Sequence, residues 1–229
     1  MSAAKLALQV KESQYPNQSN KDTCNVYRNI LHYLKTRGFK IVDTQTPIMV
    51  SADFIKYMST HSYVDMIGEN GDSIILISLV FPNGKLSKVD ATLSKFVDSK
   101  LSELSGYSHI NKEYMLVTSA EIKGQGIAKL HELEEFDTDN NISVMIREYT
   151  TFLVNISSTE MFRNHSIVDV GEVKNHFNEM YITANSIPKI GHKDNMVVWL
   201  GAKVGDYIRI IRPSPSSGYT VVYRRVIAN

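Results

Sequence analysis

Residues 187–225, IPKIGHKDNMVVWLGAKVGDYIRIIRPSPSSGYTVVYRR, decide how the chain is to be read. A helical run spans Asp194 to Leu200, with apolar Met196, Val197, Trp199 and Leu200. Gly201-Ala202-Lys203-Val204-Gly205 then places a glycine at each end of a turn. Two strand-like runs follow, Asp206 to Arg212 and Tyr219 to Val226, joined across Pro213 to Gly218. Proline, serine and glycine in that connection are hairpin-loop chemistry. The pattern predicts a helix feeding a β-hairpin.

Both faces of that hairpin are apolar. Strand alternation puts Ile208 and Ile210 on one face, and Tyr207 and Ile211 with Arg209 on the other. The return strand repeats this with Val221 and Tyr223 against Val222. Such a hairpin needs cover on both faces. Either a partner protein supplies the second cover, or a bulge near Ile210-Ile211 returns everything to one core. Trp199 is an interface anchor or a core residue, and its companions Met196 and Leu200 favour the core.

These residues resemble a family. Ile187-Pro188-Lys189-Ile190, Asp194, Leu200 to Asp206, Arg209-Ile210-Ile211-Arg212, Ser214, Ser217-Gly218 and Tyr223-Arg224 follow its order and spacing without a gap. The family is the common fifth subunit of eukaryotic nuclear RNA polymerases, whose C-terminal half stands alone as a short subunit of the archaeal polymerase. This chain departs from it at Asp194-Asn195, where the family has Asp-Pro, and at Pro213, where it has a basic residue. Asn164 to Asp169 resembles the family's His-Glu-Leu-Val-Pro segment but lacks the glutamate and the proline. The match is to a divergent member.

The full sequence of 229 residues has 43% hydrophobic and 21% charged residues, which suits one or two folded domains rather than disorder. The net charge of +1 is uneven: from Ile187 onward, seven basic residues face two aspartates. The single Cys24 excludes an internal disulfide framework. With no signal peptide or spanning apolar run read in it, the chain is expected to act inside a cell or a particle assembled there, with no membrane partner.

Residues 1–21 read as a polar tail. Asp22 or Thr23 is expected to cap a helix with Val26, Ile30 and Leu34 on one face, closed by Gly38. Phe39 to Val42 reads as the first strand, and Ser51 caps a short helix carrying Phe54, Ile55 and Met58. Ser73 to Phe81 reads as a buried strand stopped by Pro82. Asp90 caps a helix whose inner face is Leu93, Val97, Leu101 and Leu104. Tyr114 to Ser119, Ile142 to Ile146 and Phe152 to Ile156 read as strands, Gly126 to Phe136 and Glu172 to Tyr181 as helices. The pattern predicts an α/β (α+β) chain with domains at 22–155 and 156–229.

The resemblance extends to the first half through Val26 to Val42, including Arg37-Gly38-Phe39, and through Phe152 to Ile156. It implies a non-catalytic jaw domain with a mixed sheet, similar in fold to restriction endonucleases, beside downstream duplex DNA. It also implies a small α+β assembly domain, ending in a β-hairpin, docked on the largest polymerase subunit. Neighbouring small subunits are implied partners, and no homo-oligomer or cofactor is expected. The archaeal counterpart lacks the jaw, so the two-domain form is similar to the eukaryotic subunit or to a copy carried by a large DNA virus. The corresponding locations are the nucleus, or a virion and host cytoplasm.

For docking, the family-matching residues are Pro188, Gly201, Gly205, Arg209, Arg212 and Tyr223. For DNA, the counterpart of the family's Thr-Pro-Ser-Ala loop is Glu121 to Lys129, carrying Lys123, Gly124, Gln125, Gly126 and Lys129. A flexible amide-exposing turn with two lysines approaches phosphate weakly, without reading bases and with salt sensitivity. The alternative is that both lysines are simply solvated.

Two other functions compete. Glu121-Ile122-Lys123 has the Glu-x-Lys form of a metal-dependent nuclease, which would need a further acid such as Asp90 or Asp98. A transcription adaptor working outside polymerase is the other. The seven histidines have no cysteine partner at zinc spacing, and His165 reads as a hydrogen-bonded structural residue. Gly124-x-Gly126 lacks the rest of a nucleotide-binding loop. Cys24 has no obvious base near it and reads as packed.

Overall fold

The computed structural model describes residues 18–44, 51–82, 91–119, 142–180 and 186–228. Its internal contacts divide the chain into Met1–Val154 and Asn155–Asn229. Helices and two mixed sheets make it an α+β protein.

The first unit runs α1 (Gln18–Thr36), β1 (Lys40–Thr44), α2 (Ser51–Thr60), β2 (Tyr63–Asn70), β3 (Ser73–Val80), α3 (Ala91–Ser105), β4 (Asn111–Thr118) and β5 (Ile142–Glu148). The sheet order is β1-β2-β3-β4-β5. The first three strands are antiparallel, while β4 and β5 run parallel to β3. Consecutive residues of β3 from Ile74 to Val80 are buried because both faces are covered. On one face Leu93, Val97 and Leu104 of α3 meet Ile74, Leu76, Val80, Tyr114 and Leu116. On the other, Gly68 lies so close to α1 that a Cβ there would meet Leu34 at 3.2 Å and Phe39 at 3.0 Å.

The α1 stripe is as expected, with Val26, Ile30 and Leu34 fully buried. Its start is not. The helix begins at Gln18, so Asp22 and Thr23 lie inside it. The Thr23 hydroxyl donates back to the Ser19 carbonyl at 2.8 Å rather than capping. At the other end Arg37 donates both guanidinium arms to Glu113 on β4, at 2.7 and 3.1 Å, and one arm to the Tyr33 hydroxyl. That fork ties the end of α1 to β4.

One strand is unexpected, and one expected strand fails. β2 is absent from the sequence reading, because Asp65 and Gly68 interrupt its apolar run. Asp65 is nevertheless buried opposite Ser78, whose hydroxyl donates to it at 2.6 Å. The Lys100 ammonium of α3 reaches its other oxygen at 2.6 Å, and Glu103 at 2.9 Å. Burial works against the Lys100 charge, yet Asp65 and Glu103 outweigh it and lift its pKa above the ordinary lysine value. Conversely, Phe152 to Ile156 is no strand. A 3-10 turn at Tyr149–Thr151 leads into it, and the Asn29 side chain donates to the Phe152 and Leu153 carbonyls at 2.7 and 3.2 Å. An asparagine from α1 thus takes the carbonyls a neighbouring strand would have used.

The second unit contains α4 (Glu160–Arg163), β6 (His165–Val168), α5 (Val170–Met180), β7 (Lys189–Gly191), α6 (Asn195–Leu200), β8 (Tyr207–Ser214) and β9 (Gly218–Ile227). The sheet order is β6-β8-β9-β7, with β7 parallel to β9 and the other pairs antiparallel. One face of the β8–β9 ribbon packs Ile208, Ile210 and Val226 against Ile190, Val197 and Leu200. The opposite face packs Tyr223, Tyr207 and Val221 against Val173 and Phe177 of α5 and against Ile187. Both covers therefore come from this unit, and neither expectation for the second face holds. No foreign protein is needed there, and pairing from Tyr207 to Ser214 runs without a bulge.

Candidate functional site

The turn before the ribbon is built by caps. The Asp194 carboxylate accepts the Met196 N–H at 2.8 Å and starts α6. Gly201, at φ 72°, ends it: its N–H donates to Val198, and the Ala202 N–H to Val197, the paired bonds of a Schellman closure. The Asp206 carboxylate accepts the Lys203 N–H at 2.7 Å. Gly205, at φ 100°, donates its N–H to Val226, and the Arg225 N–H donates to the Pro188 carbonyl at 2.9 Å. Turn, strand end and β7 entry are thus stitched into one corner.

That corner gathers Pro188, Gly201 and Gly205. Arg209 and Tyr223 form a cross-strand pair farther along the ribbon. Arg212, opposite Thr220, lies six residues along β9 from Val226, roughly 20 Å at strand rise. Pro188 and Arg212 are exposed and Arg209 is half-buried. Tyr223 is 8% exposed, edge-on to Phe177 at 5.9 Å, and its hydroxyl donates to Glu172 at 3.2 Å. Burial first, then Glu172, raises its pKa. Tyr223 therefore shapes the unit from inside; half-buried Arg209, its cross-strand partner, shares that face, while exposed Arg212 lies on the opposite face of the ribbon. Among the described residues, β8 and β9 beyond Ile211 pair only with each other.

Lys123, Gly124, Gln125, Gly126 and Lys129 lie outside the described residues, as do Glu121, Asp90 and the helix expected at Gly126 to Phe136. Asp98 sits on the exposed face of α3. His165 has its Nδ1 at 2.6 Å from the Met161 carbonyl, a structural bond as expected. Trp199 is fully buried, which settles it as core. Burial pushes the Cys24 thiol up to about 11, Arg28 opposing, so it stays protonated. The buried Asp65–Lys100 pair escaped sequence reasoning, since their 35-residue separation carries no local signal.

The geometry coincides with a family match. The family described as RNA polymerase Rpb5, C-terminal domain, matches residues 154–226, which is almost the whole second unit. The DNA-directed RNA polymerase subunit Rpo5 of Methanococcus vannielii is 36% identical over 74 residues, covering 95% of that protein and 32% of this chain. The chain belongs to the Rpb5 family of RNA polymerase subunits. Rpb5-family proteins of African swine fever virus, described as DNA-directed RNA polymerase RPB5 homologs, extend the similarity further. In one isolate it is 20% identical over 200 residues, spanning 87% of this chain and 94% of the relative. In another it is 24% over 151 residues, 66% of this chain and 72% of the relative.

Proposed function

We propose that this Rpb5-family chain is a non-catalytic subunit of a multisubunit DNA-directed RNA polymerase. Its C-terminal unit docks on the largest subunit, beside the neighbouring small subunits. Its N-terminal unit acts as a jaw supporting downstream duplex DNA. The observation that carries this is one of size. Nearly all of an Rpo5 protein is matched by 74 residues of this chain, about the extent of the C-terminal unit. A polymerase subunit can therefore consist of that unit alone, so it holds the assembly contacts and the N-terminal unit is an addition. The docking surface draws on exposed Pro188 and Arg212 and on half-buried Gly201, Gly205 and Arg209, with Tyr223 holding the ribbon from beneath. The arginines pair with carboxylates or carbonyls of the partner.

In the jaw, residues 121–129 meet DNA phosphate through Lys123, Lys129 and the Gly124–Gly126 backbone. The contact is weak and independent of sequence. The location follows the polymerase: the nucleus for a cellular enzyme, virion or host cytoplasm for a viral one.

The test is purification of polymerase through a tag on this chain. One copy per enzyme, retained through a high-salt wash, is the expected result. Arg212→Glu should release the chain, and unchanged co-purification of that variant would remove Arg212 from the docking surface. An adaptor would wash off. Magnesium-dependent plasmid cleavage by the isolated chain, abolished in Glu121→Ala, would replace the jaw reading with the nuclease.

A further inference from the structure

The Lys203–Asp206 turn, the end of β9 and the entry to β7 enclose a cleft of about 340 Å³. Its floor is buried and apolar: Ile187 and Val226 are 4% and 1% exposed. Val204 lines it too, yet is 58% exposed, an apolar side chain left open to water beside a hydrophobic floor. Lys189 and Arg225, both exposed and opposite each other in the β7–β9 register, complete the charged lining. Among the described residues, no carboxylate lines it. The nearby Asp206 already accepts the Lys203 N–H. β7 is a three-residue strand at the sheet edge, with β9 on one side and no strand on the other among the described residues.

We propose that this cleft receives an extended segment of a neighbouring polymerase subunit, which inserts an apolar side chain and sets a carboxylate between Lys189 and Arg225. The inference rests on the docking reading and gives that surface a chemistry. Two cations with no acid in the lining select an acidic partner. The volume holds one or two side chains rather than a folded element, and the edge strand beside it offers main-chain groups to an extended chain. The floor lies in the stretch that matches the family, at the corner held by Pro188 and Gly205.

Three full-length variants test this in polymerase pull-downs: Lys189→Glu/Arg225→Glu, Val204→Glu, and Lys95→Glu/Lys174→Glu as a control with the same charge change at exposed sites elsewhere. Circular dichroism melting confirms that each is folded. The first two should retain at least tenfold less polymerase after a salt wash, and the control should match wild type. A photo-crosslinking amino acid at Val204 should capture a polymerase-subunit peptide containing Asp or Glu. Equal loss in the control would reduce the effect to net charge and overturn the cleft. So would wild-type retention of the double variant, or crosslinks confined to a second copy of this chain. Failure of wild type to co-purify would instead refute the subunit reading itself.

Discussion

The two sheets of this chain are held in place by different means. In the first unit, helices are fastened to the sheet by buried charge: Arg37 to Glu113 and Lys100 to Asp65. In the second, no charged side chain is buried among the described residues. Order there comes from backbone conformation, with Gly201 and Gly205 at positive φ and Asp194 and Asp206 as caps. Turn chemistry demands particular residues at particular places. A sheet core accepts many apolar combinations of similar volume. The family match, over residues 154–226, falls on the second unit.

The contrast can be broken at its strongest point first. Lys100→Met should leave Asp65 buried without its cation and cost about 3–5 kcal/mol, read as a lower urea midpoint for the N-terminal unit. The double change Lys100→Met/Asp65→Asn should recover a large part of that loss. If Lys100→Met is neutral, charge does not fasten α3. In the second unit, Gly201→Ala forces a side chain into the left-handed region and should cost about 1–2 kcal/mol by the same measurement. Tyr223→Phe removes only the bond to Glu172 and should cost about 0.5–1.5 kcal/mol, with polymerase retention unchanged because the hydroxyl lies beneath α5.

The smallest effect comes from Cys24. Its folded pKa lies above its unfolded one, so its contribution is present below the ordinary value of 9.0 and is lost as pH rises toward about 11. Wild type should lose slightly more stability than Cys24→Val across that window. A thiol reagent at neutral pH should label Cys24 only after unfolding.

Much of this was legible in advance where the signal is local. The α1 stripe Val26, Ile30 and Leu34, the α3 residues Leu93, Val97 and Leu104, and the apolar β3 all landed in the core. Asp194 and Gly201 bound α6 as the sequence indicates. What misled was distant. Phe152 to Ile156 has the composition of a strand, but Asn29 claims its carbonyls. Asp65 looks like a surface acid, but Ser78 and Lys100 allow it to be buried. Of the candidate site, the corner at Pro188 and Gly205 could be read from turn residues. The depth of Tyr223 could not, because it depends on α5 folding over the ribbon.

Periodicity, caps and glycines acted over a few residues, and through them the amino-acid order alone determined the helices, the ribbon and the family resemblance. The tertiary structure decided which faces are covered from within the chain and which stay open to solvent. Cover depends on residues far apart in sequence arriving at the same place. Val173 and Phe177 close one face of the ribbon, while Val204, Lys189 and Arg225 stay open to solvent.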